Sequence, residues 1–262
     1  MMTMENDDTS RLPNETCVRM AAQIGKQLLP QGSPYVEGAE IAGWTMYSDA
    51  LGGDFFDYHD FRGVCCHSKT KMNIIVGDAC GHGLCSALLM TSTRSFLRAR
   101  AMKPGRLAQV VTDVNILLHM DVKESGHFVT LFCLSVYGNE RRIEWVRAGH
   151  PPALLYDPVK DKFISLYGEG LALGVDPEHV YQSNSRVDIP NGAVILIGSD
   201  GLWEMQAEGD GTPCRKVLID LVRKHQREKA AVIGGVIKKQ IDICCGDQPA
   251  EDDVSLVVVK FT

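Results

Sequence analysis

The chain has 262 residues, of which 45% are hydrophobic and 23% are charged, and its formal net charge is −6. This size and composition fit one layered globular domain with a sizeable core. The acidic balance does not favour a nucleic-acid partner, whose binding surface is usually basic. No apolar run reaches transmembrane length, and the polar, acidic start lacks a signal-peptide pattern, so we expect a cytoplasmic protein with no membrane partner.

Nine cysteines are present, including the adjacent pairs Cys65-Cys66 and Cys244-Cys245. An odd number without the usual paired C-x-x-C spacing argues against a disulfide framework and against a structural zinc site. We therefore expect reduced cysteines.

The first predicted elements are a disordered segment at residues 1–14 and a helix at residues 15–30. An apolar stripe with four-three-four spacing runs along this helix and consists of Cys17, Ala21, Ile24 and Leu28. The spacing resembles a short coiled-coil seam, which makes the helix a candidate for a weak homodimer contact. A helix packed on its own domain fits the same pattern, since about two heptads are fewer than such seams normally need.

Strands and helices then follow in groups. Strands are predicted at residues 39–47, 53–61, 72–77, 128–137, 143–148, 153–156, 193–197 and 254–261, and helices at 84–101, 107–120, 215–225 and 229–241. A loop is predicted at residues 168–190, where Gly and Pro are frequent. Runs of strands and pairs of helices favour an α+β fold with antiparallel sheets covered by helices. No linker marks a second domain, so residues 15–262 are predicted to form one unit.

Aspartates recur at the ends of predicted strands, next to glycine or to the last strand. They are Asp54, Asp78, Asp200 and the pair Asp252-Asp253. Carboxylates brought together repel and raise one another's pKa unless a cation neutralises them, and oxygen ligands suit Mg²⁺ or Mn²⁺. For any single Asp-Gly pair, the alternative to a metal-binding role is an ordinary turn. Neighbours on a strand point to opposite faces, so we expect one of the two C-terminal aspartates to face the cluster.

Three other motifs would compete with this interpretation, and each is incomplete or absent. Gly52-Gly53-Asp54 resembles the signature of cyclic-dinucleotide synthases but lacks the acidic residue that should follow. Residues 81–86 (GHGLCS) lie between a strand and a helix, like a dinucleotide fingerprint, but the last glycine is a serine and no acidic residue follows before Asp113. No cysteine has an arginine at the Cys-x5-Arg spacing of cysteine phosphatases.

Taken in order, several stretches resemble the PPM superfamily of metal-dependent protein phosphatases, and most closely the bacterial branch that includes the sporulation stage II phosphatase E and RsbU. The stretches are residues 27–30 (QLLP), 51–57 (LGGDFFD), 76–83 (VGDACGHG), 128–132 (FVTLF), 148–152 (AGHPP), 199–202 (SDGL) and 252–256 (DDVSL). The resemblance runs from about residue 23 to the C-terminus.

The resemblance implies a four-layer sandwich, in which two antiparallel sheets are flanked by helices, and a site with two Mn²⁺ or Mg²⁺ ions. The implied catalytic and metal-binding side chains are Asp54, Asp78, Asp200 and Asp252, with Asp253 adjacent and the Ala79 carbonyl as a backbone ligand. The choice of Asp252 over Asp253 comes from the family pattern alone. The implied reaction is hydrolysis of phosphoserine or phosphothreonine by an activated water.

The branch also implies a phosphorylated protein substrate, usually a STAS-type anti-sigma-factor antagonist in a partner-switching pathway. Two other functions fit less well: a non-catalytic phosphoprotein-binding module, which the intact acidic set disfavours, and a hydrolase of small phosphate esters. His82 and His150 are each open to a catalytic or a structural role. Cys80 and Trp203 depart from the family's usual residues, which leaves oxidation sensitivity and substrate contacts open.

Overall fold

The computed structural model describes residues 15–59, 71–204, 214–246 and 250–262. The helices are α1 (Glu15–Leu28), α2 (Gly83–Ala101), α3 (Leu107–Val122), α4 (Asp200–Glu204), α5 (Cys214–His225) and α6 (Ala230–Cys245). The strands are β1 (Ala39–Met46), β2 (Phe55–His59), β3 (Lys71–Ala79), β4 (Val129–Tyr137), β5 (Arg142–Ala148), β6 (Ala153–Asp157), β7 (Lys162–Leu166), β8 (Asn184–Arg186), β9 (Val194–Gly198) and β10 (Val254–Phe261).

The strands form two antiparallel sheets of five strands each. The first has the order β1-β10-β9-β6-β7 and the second the order β2-β3-β4-β5-β8. Helices α5 and α6 cover the first sheet, and α2 and α3 cover the second. The predicted α+β sandwich of two helix-flanked sheets is confirmed. Antiparallel pairing also rules out a parallel nucleotide-binding sheet around residues 81–86.

Three apolar clusters hold the four layers together, and the alternation of strand side chains assigns residues to them. In β3, Ile75 packs toward the helices on the second sheet, whereas Ile74 and Val76 pack between the two sheets. This explains why the middle of β3 is an uninterrupted apolar run, because both of its faces are buried.

Some boundaries differ from the prediction. Strand β3 extends through Ala79, so Asp78 lies within a strand and not after one. Strands β7 and β8 and the short helix α4 were not predicted, and β8 lies inside the predicted loop 168–190. The predicted disorder of residues 1–14 and the end of the predicted strand 53–61 lie outside the described residues.

Helix α1 packs loosely on the domain. It has no fully buried residue, and Met20 and Ile24 are 60% and 58% exposed. Ala21 and Leu28 are half-buried and line a groove of about 210 Å³ between α1, α2 and the segment that follows β1. Ile24 lines the same groove although more than half of its surface is exposed, so the predicted stripe faces the domain only in part. Within the described segments, no helix has the length and apolar character needed to cross a membrane.

Candidate metal centre

The predicted acidic residues lie at one end of the sandwich. Asp54 immediately precedes β2, and Asp78 is the penultimate residue of β3, its antiparallel neighbour. Asp200 follows β9, while Asp252 and Asp253 immediately precede β10, which pairs antiparallel with β9. A backbone amide from the segment before β2 donates to the Asp253 carboxylate at 2.9 Å, so the ends of the two sheets are in contact.

Asp54 is the most deeply buried of these side chains, with 1% of its surface exposed. Its Oδ2 has no hydrogen-bond partner. Burial raises the pKa of Asp54 well above its usual value, and the charges of Asp78 and Asp253 raise it further, while hydrogen bonds from Ser199 and Ser255 partly offset the rise. A buried carboxylate oxygen without a donor is poised to accept either a proton or a cation.

Asp78 is half-buried and faces the other acidic groups. Burial raises the pKa of Asp78 to about 7, with further contributions from the negative charges of Asp200, Asp252 and Asp253. Asp78 in the second sheet therefore interacts electrostatically with three aspartates that adjoin strands of the first sheet.

The Asp253 carboxylate accepts several hydrogen bonds from other parts of the protein. Its Oδ1 accepts hydrogen bonds from the Ser48 amide at 2.9 Å and the Ser48 hydroxyl at 3.0 Å, and its Oδ2 accepts one from the Gly53 amide at 2.9 Å. A Cβ at Gly52 would lie 2.0 Å from the same Oδ2, so the segment can only approach the carboxylate because residue 52 is a glycine. Asp253 thus holds the segment before β2 against the start of β10.

Asp200 and Asp252 are more accessible. Asp200 is half-buried at the first position of α4, and its Oδ1 accepts a hydrogen bond from the Gly201 amide at 2.9 Å. Asp252 is exposed, and its Oδ1 accepts from the Asp253 amide at 2.7 Å. Asp252 and Asp253 therefore differ in environment, although the charges of both raise the pKa of Asp78.

Backbone groups contribute to the same end of the sandwich. The Ala79 amide donates to the Gly53 carbonyl at 3.3 Å, and a Cβ at Gly53 would lie 2.5 Å from the Ala79 carbonyl oxygen. The absence of a side chain at Gly53 keeps this carbonyl uncovered on that side. It is the carbonyl that the resemblance implies as a backbone ligand.

The residues present have the chemistry of a site for a hard cation. Within the described residues, no set of three or more Cys, His, Asp and Glu side chains is arranged to hold an ion as it stands. The carboxylates nevertheless lie close enough to raise the pKa values of Asp54 and Asp78, and Asp54 has an unpartnered buried oxygen. An all-oxygen set of ligands fits Mg²⁺ or Mn²⁺.

The two histidines have different environments. His82 is exposed at the N-cap of α2, and its side chain makes no capping hydrogen bond. His150 is fully buried, and its Nδ1 lies 2.9 Å from the Thr130 hydroxyl. Burial lowers the pKa of His150 to about 3, and the nearby Arg147 charge lowers it further. A neutral, enclosed imidazole has no access to a substrate.

Three serines complete the site and were not predicted. Ser48 binds Asp253, while Ser199 and Ser255 bind Asp54. Ser199 precedes Asp200 and Ser255 lies in β10, so their proximity to the acidic motifs was visible in the sequence. Their hydrogen bonds reach across the fold, however, and no local pattern encodes them.

The chain is similar in sequence to known proteins. The family Stage II sporulation protein E (SpoIIE) matches residues 68–262. Phosphoserine phosphatase RsbU of Bacillus subtilis (strain 168) is 24% identical over 248 residues, which cover 93% of this chain and 69% of RsbU. Phosphoserine phosphatase RsbP of the same organism is 26% identical over 212 residues, covering 79% of this chain and 48% of RsbP.

A solved structure gives the same fold. The SiaA-PP2C domain of Pseudomonas aeruginosa superposes with a TM-score of 0.77 at 18% identity, covering 95% of this chain and 97% of that domain. At this identity the likeness concerns the fold alone.

Proposed function

Because the chain belongs to the SpoIIE family, we propose that it is a metal-dependent protein phosphatase that hydrolyses phosphoserine or phosphothreonine in a protein substrate. The observation that carries this proposal is the meeting of acidic side chains from both sheets at one end of the sandwich. Burial and mutual repulsion raise the pKa values of Asp54 and Asp78, which is unfavourable for the metal-free protein and favours cation binding.

Asp54, Asp78, Asp200 and Asp252 are the proposed ligands of two Mn²⁺ or Mg²⁺ ions, with the Ala79 carbonyl as a backbone ligand. When bound, the ions supply a water of lowered pKa as nucleophile and neutralise negative charge on the phosphate. The buried Asp54 and the segment fixed by Asp253 hold the ligand set in place before substrate arrives.

The surroundings of the site favour a protein substrate over a small phosphate ester. Exposed apolar side chains lie on the segments that adjoin the acidic end: Leu84 in the first turn of α2, Phe128 before β4, and Leu171, which are 44%, 38% and 44% exposed. The Phe128 amide and carbonyl both bond to Cys80, two residues after Asp78. Apolar groups around a polar site are typical of surfaces that bind proteins.

The resemblance supports three finer proposals. The substrate is a STAS-type anti-sigma-factor antagonist, the enzyme acts in the cytoplasm in a partner-switching pathway, and a weak homodimer forms through α1. The exposure of Met20 and Ile24 supports the last of these, because two apolar side chains one turn apart remain uncovered on α1.

The test is phosphatase activity and its dependence on metal. Hydrolysis of p-nitrophenyl phosphate and of a phosphorylated STAS domain is expected with Mn²⁺ or Mg²⁺ and none with excess chelator. Asp78→Asn and Asp200→Asn are each expected to lose at least about a hundredfold in turnover, since even the partners of ligands typically change activity by 10–100-fold. Asp242→Asn, which alters an exposed carboxylate paired with Lys238 in α6, is the matched control and should keep full activity.

Full turnover in chelator, or in both site variants, would contradict the metal mechanism. Rates on free phosphoserine equal to those on the phosphoprotein would instead favour a hydrolase of small esters. Binding of the phosphoprotein without any turnover would indicate a non-catalytic module.

A further inference from the structure

His150 lies between the two sheets at the end that carries the acidic residues, and it is fully buried. Its Nδ1 is 2.9 Å from the hydroxyl of Thr130 in β4. Thr130 is the direct antiparallel partner of Asp78 in β3, and directly opposed residues project from the same face of a sheet. The imidazole therefore contacts the side chain next to Asp78 on the face that looks toward the other sheet.

The end of a strand in the other sheet also approaches the ring. The carbonyl of Gly198, the last residue of β9, acts on the His150 ring, and Asp200 follows two residues later. In this structure Nε2 is buried and has no hydrogen-bond partner, and the Gly198 carbonyl accepts a hydrogen bond from the Trp203 indole at 2.9 Å. The ring thus spans the gap between the strand that opposes Asp78 and the strand that leads to Asp200.

The backbone around His150 leaves the ring little freedom. Gly149 has a φ of +69°, and its amide donates to the Gly170 carbonyl at 3.0 Å. The Arg147 guanidinium donates to the His150 carbonyl at 2.8 Å. Burial and the Arg147 charge lower the pKa of His150 to about 3, so the ring is neutral at physiological pH and carries one N–H.

We propose that His150 is a positioning residue of the metal centre, whose buried ring sets the separation of Asp78 and Asp200. A carbonyl oxygen can only accept, so the nitrogen that faces Gly198 carries the proton, and Nδ1 accepts the proton of the Thr130 hydroxyl. The inference rests on the proposed function, since a spacing between carboxylates matters only if they bind ions together. His150 is not a catalytic residue, because no part of its side chain reaches solvent or substrate.

The first test is Mn²⁺ affinity, measured by calorimetry without substrate. Thr130→Val removes the hydroxyl at nearly constant shape and is expected to weaken Mn²⁺ binding roughly tenfold, which corresponds to about 1.4 kcal/mol. Thr130→Ser keeps the hydroxyl and is expected to bind as the unchanged protein does. Thr93→Val is the control, because it makes the same replacement at a fully buried threonine whose hydroxyl donates to the Leu89 carbonyl within α2.

The second test is the tautomer of His150 in protein bound to diamagnetic Mg²⁺, read from ¹⁵N chemical shifts of the ring. A neutral ring protonated at Nε2 is expected, and a ring protonated at Nδ1 would overturn the proposal. Equal Mn²⁺ affinity of Thr130→Val and the unchanged protein would also overturn it while leaving the proposed function intact. If the unchanged protein binds no Mn²⁺, the metal mechanism itself fails and the positioning role fails with it.

Discussion

Replacing the two adjacent aspartates before β10 should separate folding stability from metal binding. Asp253→Ala removes the acceptor for the amides of Ser48 and Gly53, which lie at 2.9 Å from its two oxygens. A buried amide left without a partner costs about 1–3 kcal/mol, and the Gly53 amide is buried whereas the Ser48 amide is partly buried, so the gross loss is at most about 6 kcal/mol. Removing one negative charge beside Asp54 and Asp78 offsets part of that loss, because Asp253 contributes to the raised pKa of both.

A net loss of about 2–4 kcal/mol corresponds to a fall in melting temperature of roughly 5–15 °C for a domain of this size. Asp252→Ala is the matched control, because its carboxylate is exposed and bonds to the adjacent amide. In excess chelator it should melt within about 2 °C of the unchanged protein. A ligand that binds the folded state stabilises it by mass action, so Asp252→Ala should gain much less stability from Mn²⁺ than the unchanged protein does.

The assay is a pair of thermal melts for each variant, one in chelator and one in saturating Mn²⁺. If Asp253→Ala melts with the unchanged protein in chelator, the hydrogen bonds to Ser48 and Gly53 do not hold the segment as argued. If both variants lose the Mn²⁺ stabilisation equally, both side chains bind the ions, and the distinction drawn between them is wrong.

Three further predictions concern the same end of the molecule. Because the pKa of Asp78 rises from 3.8 to about 7 on folding, metal-free protein should lose stability as pH rises through that window, and urea titrations that show the opposite slope would contradict this. Gly53→Ala should weaken Mn²⁺ binding, because the added Cβ would lie 2.5 Å from the Ala79 carbonyl oxygen. Gly32→Ala is the control and should leave Mn²⁺ binding unchanged, because a Cβ there meets open space. Equal Mn²⁺ affinities of the two variants would show that the Ala79 carbonyl is not a ligand. Met20→Asp with Ile24→Asp should abolish concentration-dependent dimerisation without unfolding, and a strict monomer before mutation in sedimentation experiments would end the dimer proposal.

Local patterns were enough to predict most of the sandwich. The apolar run that became β3 and the glycines that follow it indicate a buried strand without reference to the rest of the chain. Strand β8 carries no such signal, since its three residues (NSR) are polar and pair with β5 at the sheet edge. Helix α4 is only five residues long, too short for a helical period to be read from sequence.

The acidic residues could be predicted because each stands beside glycine or at a strand end. Their relative roles could not, because these depend on contacts between distant segments. Asp253 differs from Asp252 because it accepts hydrogen bonds from amides about 200 positions earlier in the chain. The environment of Asp54 depends on hydroxyls from β10 and from the residue after β9. The buried position of His150 also depends on tertiary contacts, through Thr130 in β4 and the Gly170 carbonyl.

The segment between β1 and β2 connects the proposed dimer helix to the proposed metal centre. Leu51 and Gly52 line the groove beneath α1, and Gly52 packs directly on the Asp253 carboxylate. Tyr47 lines the same groove and donates to the Asp54 carbonyl at 3.1 Å. A displacement of α1 would therefore shift the backbone of Asp54 through the atoms packed between them. Because α1 packs loosely, such a displacement requires little free energy. Dimerisation through Met20 and Ile24 would then change Mn²⁺ affinity only by moving this segment. A disulfide that fixes α1 to α2 should therefore make Mn²⁺ affinity independent of dimerisation.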